Sequence, residues 1–194
     1  MNQIARQLPP SMTADEFLDW PGDGSGRKFE LVDGRLRPVS PASTTHGRLQ
    51  ANLTFLIMAA IRAAGLRLWT ITEGAVIPGQ APAINVRVPD VIVTGASDRE
   101  DGKTVLEPVM LVEVLSPSNE RRTRESLRSC ATIASVQEIV AVHSKRLRIE
   151  VSRRDADGGW SEPEIVGPSG VLRLASVSLA APIEDVYAGT WLLT

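Results

Sequence analysis

One cysteine, Cys130, in a chain of 194 residues leaves no partner for an internal disulfide and suits a reducing, cytoplasmic setting. Aromatic residues are sparse. With one tyrosine and three phenylalanines the chain is poorly supplied with the stacking platforms that single-strand nucleic-acid binders use. An excess of either charge is missing too: 21 Lys and Arg nearly balance 23 Asp and Glu, a net charge of -2, so any nucleic-acid role rests on a local patch. No apolar run reaches the roughly 18 residues of a membrane span. The longest candidate, Leu53 to Ala64, contains Arg62. Internal repeats, low-complexity tracts and a convincing domain boundary are also absent. Residues 1–11 lack the apolar centre of a secretory signal and read as a lead-in without structure, which leaves one domain over 12–194.

What is present, 43% hydrophobic and 23% charged, is a soluble globular pattern in which helical and strand periods alternate, an α/β chain. Thr13-Ala14-Asp15-Glu16 has capping-box spacing and predicts a short helix that stops at Pro21-Gly22. Lys28 to Val32 and Arg35 to Arg37 alternate around Asp33-Gly34, a strong two-residue hairpin turn. Phe29 and Leu31 share one face of that hairpin, which leaves Glu30 on the other, read as solvent-facing. After Pro41 and the Ser43-Thr44-Thr45 cluster, Leu49, Leu53, Ile57 and Ile61 recur every four residues and predict the longest helix, with His46 in its first turn and Gly65 as its C-terminal cap.

Strand-like runs cover Leu66 to Thr72 and Gly74 to Ile77, on either side of Glu73. Further on, Asn119 to Ala134 reads as a helix and Ile139 to Val142 as a strand. With the strand before them they form a βαβ unit, so part of the sheet is parallel. Leu147 to Val151 alternates with one wet face, Ile165-Val166 and Val171-Leu172 are weaker strands, and Val186 to Leu193 packs back on the body.

Two central runs carry one carboxylate each. Val109 to Leu115 is apolar, short and stopped by Ser116-Pro117, the pattern of a strand buried on both faces. Glu113 inside it costs several kcal/mol unless it is paired, hydrogen-bonded or bound to a cation. Val86 to Val93 contains Pro89, which argues for an edge or a bulge. If the two runs are neighbours, roughly 4.8 Å apart, Asp90 and Glu113 converge. Two such oxygen ligands suit a hard divalent cation such as Mg²⁺.

Plainer readings stand beside this one: Asp90 closes a turn, Glu113 pairs with an arginine, His46 caps a helix, Glu73 is structural and Cys130 is a small core residue. Arg121, Arg122, Arg124 and Arg128, with Lys145, Arg146, Arg148, Arg153 and Arg154, form the one candidate phosphate patch. Contact with a duplex backbone is the nucleic-acid reading that suits them, against a merely solvated helix face.

Taken in order, Phe29-Glu30-Leu31-Val32-Asp33-Gly34, Ser40-Pro41 followed by His46, Pro89-Asp90-Val91, and Val112-Glu113-Val114-Leu115-Ser116-Pro117-Ser118 resemble the markers of the Uma family of "putative restriction endonucleases", within the PD-(D/E)xK nuclease superfamily. The resemblance runs from Met12 to the C-terminus. It implies a restriction-endonuclease-like core, a mixed central sheet flanked by helices with an N-terminal helix and β-hairpin. It further implies hydrolysis of DNA phosphodiesters with Mg²⁺ or Mn²⁺, by a homodimer. Carried over, Asp90 and Glu113 are metal ligands, Glu30 is a third oxygen ligand or the base, and His46 contacts phosphate or a site carboxylate.

The superfamily's lysine is missing. Leu115 stands two residues after Glu113, and on the following helix Ser126 takes the lysine place, Thr123 the aspartate place and Cys130 the tyrosine place of the family's migrated arrangement. Arg122 or Arg124 is then the expected stand-in cation, although a guanidinium does not reproduce the geometry of an ammonium. Two functions remain open: a metal-dependent endonuclease, or a catalytically silent relative that binds nucleic acid or protein.

Overall fold

The computed structural model describes Pro9 and residues 11–193, so the expected lead-in falls almost wholly outside the described residues. Helix α1 (Ala14–Asp19) carries the capping box reciprocally: Glu16 N–H donates to Thr13 Oγ1 at 3.2 Å and Thr13 N–H donates to Glu16 Oε2 at 2.7 Å. Strands β1 (Phe29–Val32) and β2 (Arg35–Pro38) form the hairpin. Its turn residues Asp33 and Gly34 have φ of 49° and 76°, the left-handed pair that a tight right-twisted hairpin demands. That turn places Glu30 directly opposite Arg37.

Helix α2 (Thr44–Ala63) starts on the Ser43 cap and buries Leu49, Leu53, Ile57 and Ile61. Gly65, at φ 63°, lets the chain leave it.

The main sheet has six strands in the order β3 (Trp69–Thr72), β4 (Val91–Thr94), β5 (Pro108–Leu115), β6 (Glu138–His143), β7 (Ile149–Arg153) and β8 (Glu164–Val166). Helix α3 (Glu120–Cys130) connects β5 to β6, which pair in parallel; the other neighbours are antiparallel. On one face of the sheet, Val112, Val114, Val140, Val142 and Val151 pack with α2, the hairpin of β9 (Val171–Leu174) and β10 (Leu179–Pro182), and α4 (Ile183–Val186). On the other, Leu111, Leu115, Ile139 and Ala141 pack with Leu127 and Cys130 of α3. Strand β5 is therefore covered on both sides, which is why its pattern is apolar at consecutive positions rather than alternating. Among the described residues, no helix is long and apolar enough to cross a membrane.

Several expectations change: Gly74 to Ile77 makes only an isolated bridge at Val76 instead of a strand. The run from Val86 to Val93 is not one strand: Val86 and Arg87 make isolated bridges to Leu31 and Val76, and β4 begins only after Pro89-Asp90. Pro89, without an N–H to give, stands just ahead of an interior strand rather than on an edge. Glu150 belongs to the expected wet face of β7 yet is only 7% exposed. Arg124 reaches down from α3 and grips it through two bonds of 2.9 and 3.0 Å. His143 Nε2 at 2.8 Å and Arg148 Nε at 3.0 Å complete the set. His143 Nδ1 accepts from Arg146, which leaves the Nε2 proton for Glu150. The Arg124 guanidinium, against the opposing effect of burial, holds the Glu150 carboxyl well below the usual carboxylate range.

This grip predicts the acid behaviour of the fold. A depressed carboxyl contributes stability above its unfolded value and loses it as pH falls toward the folded value. Arg124→Ala should lower unfolding free energy by about 2 kcal/mol at pH 7 and flatten its decline in acid. Urea denaturation between pH 3 and 7 checks both.

Candidate active site

Because Val91 pairs with Val112, one further step of the same antiparallel register sets Asp90 across from Glu113, with Cα atoms about 5 Å apart. Asp90 Oδ2 accepts the Val114 N–H at 2.7 Å and Oδ1 lies 2.8 Å from His46 Nε2. The Asp90 carbonyl accepts from Gln50 Nε2 at 2.8 Å and from the Glu73 amide at 3.3 Å. The first turns of α2 are thus stitched to the strand that presents the carboxylate. Glu73 itself is exposed and pairs with Lys28, so its tie to Asp90 is through the backbone.

Glu113 lies on the α3 side of β5, between Leu111 and Leu115. Burial first, then the negative charges of Asp90 and Glu30, push its carboxyl well above the ordinary carboxylate range, with Arg37 opposing.

Glu30 is not on a wet face. Only 7% exposed, it accepts from Arg37 Nη2 at 2.6 Å and Nε at 3.2 Å on Oε2, and from Ser126 Oγ at 3.0 Å and the Val88 N–H at 3.3 Å on Oε1. The face of the hairpin that alternation alone gives to solvent is covered by α3. Thr123, Ser126 and Cys130, at the aspartate, lysine and tyrosine places named above, are all buried on that helix.

The structure brings Asp90, Glu113, Glu30 and His46 together but does not bring Arg122 or Arg124 to them. Arg122 is exposed and has no ion pair among the described residues. Arg124 is held by Glu120 and by Glu150, whose strand lies two strand spacings from Glu113, about 10 Å. The cation at the acids is Arg37, which sequence reasoning missed. Its signal was available: a two-residue turn at Asp33-Gly34 pairs Val32 with Arg35 and hence Glu30 with Arg37. A second guanidinium, Arg87, is buried nearby and donates to the carbonyls of Leu31 and Val86 and to Asn85 Oδ1.

Among the described residues, no three His, Cys, Asp or Glu side chains stand ready as a metal nest. Asp90 and Glu113 offer two hard oxygen donors, and their mutual repulsion is what a divalent cation relieves. The pair fits such an ion; Glu30, as it stands, is turned to Arg37 and Ser126.

A mixed sheet roofed by α3, with two acids meeting beside the middle strand, is a nuclease-type α/β fold. A crystal structure from Anabaena variabilis, described as "a putative nuclease belonging to DUF820", shares it with a TM-score of 0.73 at 19% identity, over 91% of this chain and 98% of that one. Two uncharacterized proteins of Synechocystis are also similar: slr1290, 26% identical over 182 residues and 93% of each chain, and sll1609, 24% identical over 172 residues, 87% of this chain and 95% of that one. The Uma2 family, described as "Putative restriction endonuclease", matches residues 14–183, and the chain belongs to that family.

The raised Glu113 carboxyl sets a sign for metal-free stability. Such a group favours folding below its unfolded value near 4.5, and that contribution is lost as pH rises through the folded value. Glu113→Gln should therefore stabilise the metal-free protein at pH 8 by about 1 kcal/mol or more and flatten the decline above pH 5. Thermal unfolding in EDTA across pH 5 to 9 reads it.

Proposed function

We propose that the protein is a divalent-metal-dependent DNA endonuclease. The observation that carries this reading is the Asp90–Glu113 pair: a buried carboxyl, pushed toward its neutral form by burial and by the acid beside it, on a fold of nuclease type. Asp90 and Glu113 are the residues that hold Mg²⁺ or Mn²⁺. Bound there, the ion supplies a polarised phosphoryl oxygen and a more acidic water.

The chain's own groups do the rest. His46 and the Val114 N–H orient Asp90. Glu30 is the third carboxylate, ligand or base through Oε1, with Oε2 kept on Arg37. Attack forms a bond from the water oxygen to phosphorus and breaks the bond to the leaving ester oxygen. The water proton passes by way of Glu30 to solvent, and the leaving oxygen takes one back.

The exposed guanidinium of Arg122 on α3 suits the backbone of a DNA duplex. Cutting both strands calls for two sites, and a homodimer is the assembly in this reading. The open edge of β3, with Trp69 55% exposed, and Phe55 of α2, 71% exposed, offer apolar surface for the second copy. The lone buried thiol of Cys130 agrees with a cytoplasmic site of action.

A second reading, a silent relative that binds nucleic acid or protein, is favoured by Ser126 and Leu115 at the two lysine places and by Glu30 being tied down. Supercoiled plasmid separates the two. The endonuclease nicks it in Mg²⁺ or Mn²⁺ and not in EDTA, and Asp90→Ala lowers the rate at least about 1,000-fold. Because Glu113 must lose its proton to the buffer before it can ligate the ion, Mn²⁺ affinity should rise with pH and calorimetry in two buffers should show proton release. Clean protein that cuts nothing across a range of metals, with DNA or protein binding intact, establishes the silent reading.

A further inference from the structure

Hydrolysis of a phosphodiester builds negative charge on the non-bridging oxygens, and a site made only of carboxylates resists that charge. Three acids meet here, and the helix place from which a lysine would answer them holds Ser126, whose Oγ touches Glu30 at 3.0 Å. The guanidinium of Arg37 lies against the same two groups. It takes Glu30 Oε2 through Nη2 and Nε, and its Nη2 is 3.5 Å from Ser126 Oγ. Its charge is also the one that counteracts the upward push on Glu113. A lysine ammonium extended from position 126 would compete for the space and the carboxylate that Arg37 now occupies.

Arg37 also has capacity to spare. Its Nη1 makes no hydrogen bond among the described residues, only an approach of 3.7 Å to Glu125 Oε2. The side chain, 17% exposed, bridges from Glu30 to a neighbouring polar cavity of about 380 Å³ that Arg87, Arg128 and Asn85 also line, with the carboxylates of Asp33 and Glu125 but not those of Asp90 or Glu113. Glu125 is shared with Arg121, so it does not saturate Arg37.

We propose that Arg37, reaching across from the hairpin, is the catalytic cation of this site in place of the helix lysine. Glu30 and Ser126 aim it, and the guanidinium, held beside the acids, offsets the charge that builds on the non-bridging oxygens of the phosphate under attack. The charge has moved from α3 to β2 without leaving the site. This rests on the endonuclease reading and deepens it by naming the group that meets the phosphate.

The test is single-turnover nicking of supercoiled plasmid by the full chain in Mg²⁺ and in Mn²⁺, from pH 6 to 10, for wild type, Arg37→Ala, Arg37→Met, Arg37→Lys and the double variant Arg37→Ala/Ser126→Lys. Arg37→Met keeps the packing of the stem if Arg37→Ala fails to fold. Loss of the guanidinium should cut the rate about 100-fold or more. Arg37→Lys should recover part of it, and Ser126→Lys should raise the rate of the Arg37→Ala protein at least about 10-fold. Both lysine-bearing proteins should show a fall in rate as the ammonium loses its proton near pH 10, which a guanidinium does not. A purely structural role for Arg37 moves neither that alkaline limb nor the rescue.

Wild-type nicking that survives Arg37→Met unchanged overturns the inference alone. So does a folded Arg37→Ala protein that Ser126→Lys cannot rescue. Wild type that binds Mn²⁺ but nicks nothing overturns the endonuclease reading and this inference with it.

Discussion

Glu113 sits inside β5 with Asp90 across from it, and neither burial nor that neighbour tolerates two full negative charges without a cation. Much of the surrounding structure manages this conflict. Asp90 is stabilised by the Val114 amide and His46, and Glu30 by Arg37, Ser126 and the Val88 amide. Glu113, buried and sharing a hydrogen bond with Asp90, answers by favouring its protonated form. Replacing that proton with a divalent ion is the least disruptive way to ionise it. The unfavourable electrostatics of the resting site and its proposed affinity for metal are one property.

The two layers of the core hold this arrangement from opposite sides. Helix α2 packs through Leu49, Leu53 and Ile57, and that packing carries His46 and Gln50 to Asp90. Helix α3 packs through Leu127 and Cys130, and that packing carries Ser126 to Glu30. Arg124, by gripping Glu150, fixes the same helix at a second point along the sheet, away from Asp90 and Glu113. The hairpin closes the site from the third side, and its register delivers the cation.

Much of this was readable beforehand, for reasons that differ from element to element. The capping box at Thr13, the Asp33-Gly34 turn, the four-residue stripe of α2 and the parallel β5–β6 crossover each rest on short-range geometry, and each appears where the pattern places it. Asp90 and Glu113 were readable because a charge in a doubly covered strand is costly enough to need a cause. Glu30 and Glu150 were misplaced for one shared reason. Strand alternation gives two faces but does not say whether a helix lies over the second, and α3 covers both residues. Naming Arg122 or Arg124 as the stand-in cation left out Glu150, a partner far along the chain that captures Arg124.

Local pattern and the chemistry of single residues were enough to establish the order of elements, the mixed sheet, the family and the two central acids, because periodicity, turn preference and desolvation cost act within a few residues. Which cation stands beside the acids was decided only in three dimensions. Arg37, Arg122 and Arg124 are equivalent as charges in a list of residues. They become different once a hairpin register, an exposed helix face and a buried glutamate assign one to the site, one to solvent and one to the scaffold. Charge is a property of the residue, but the distance over which it acts, in a medium of low polarity, belongs to the fold.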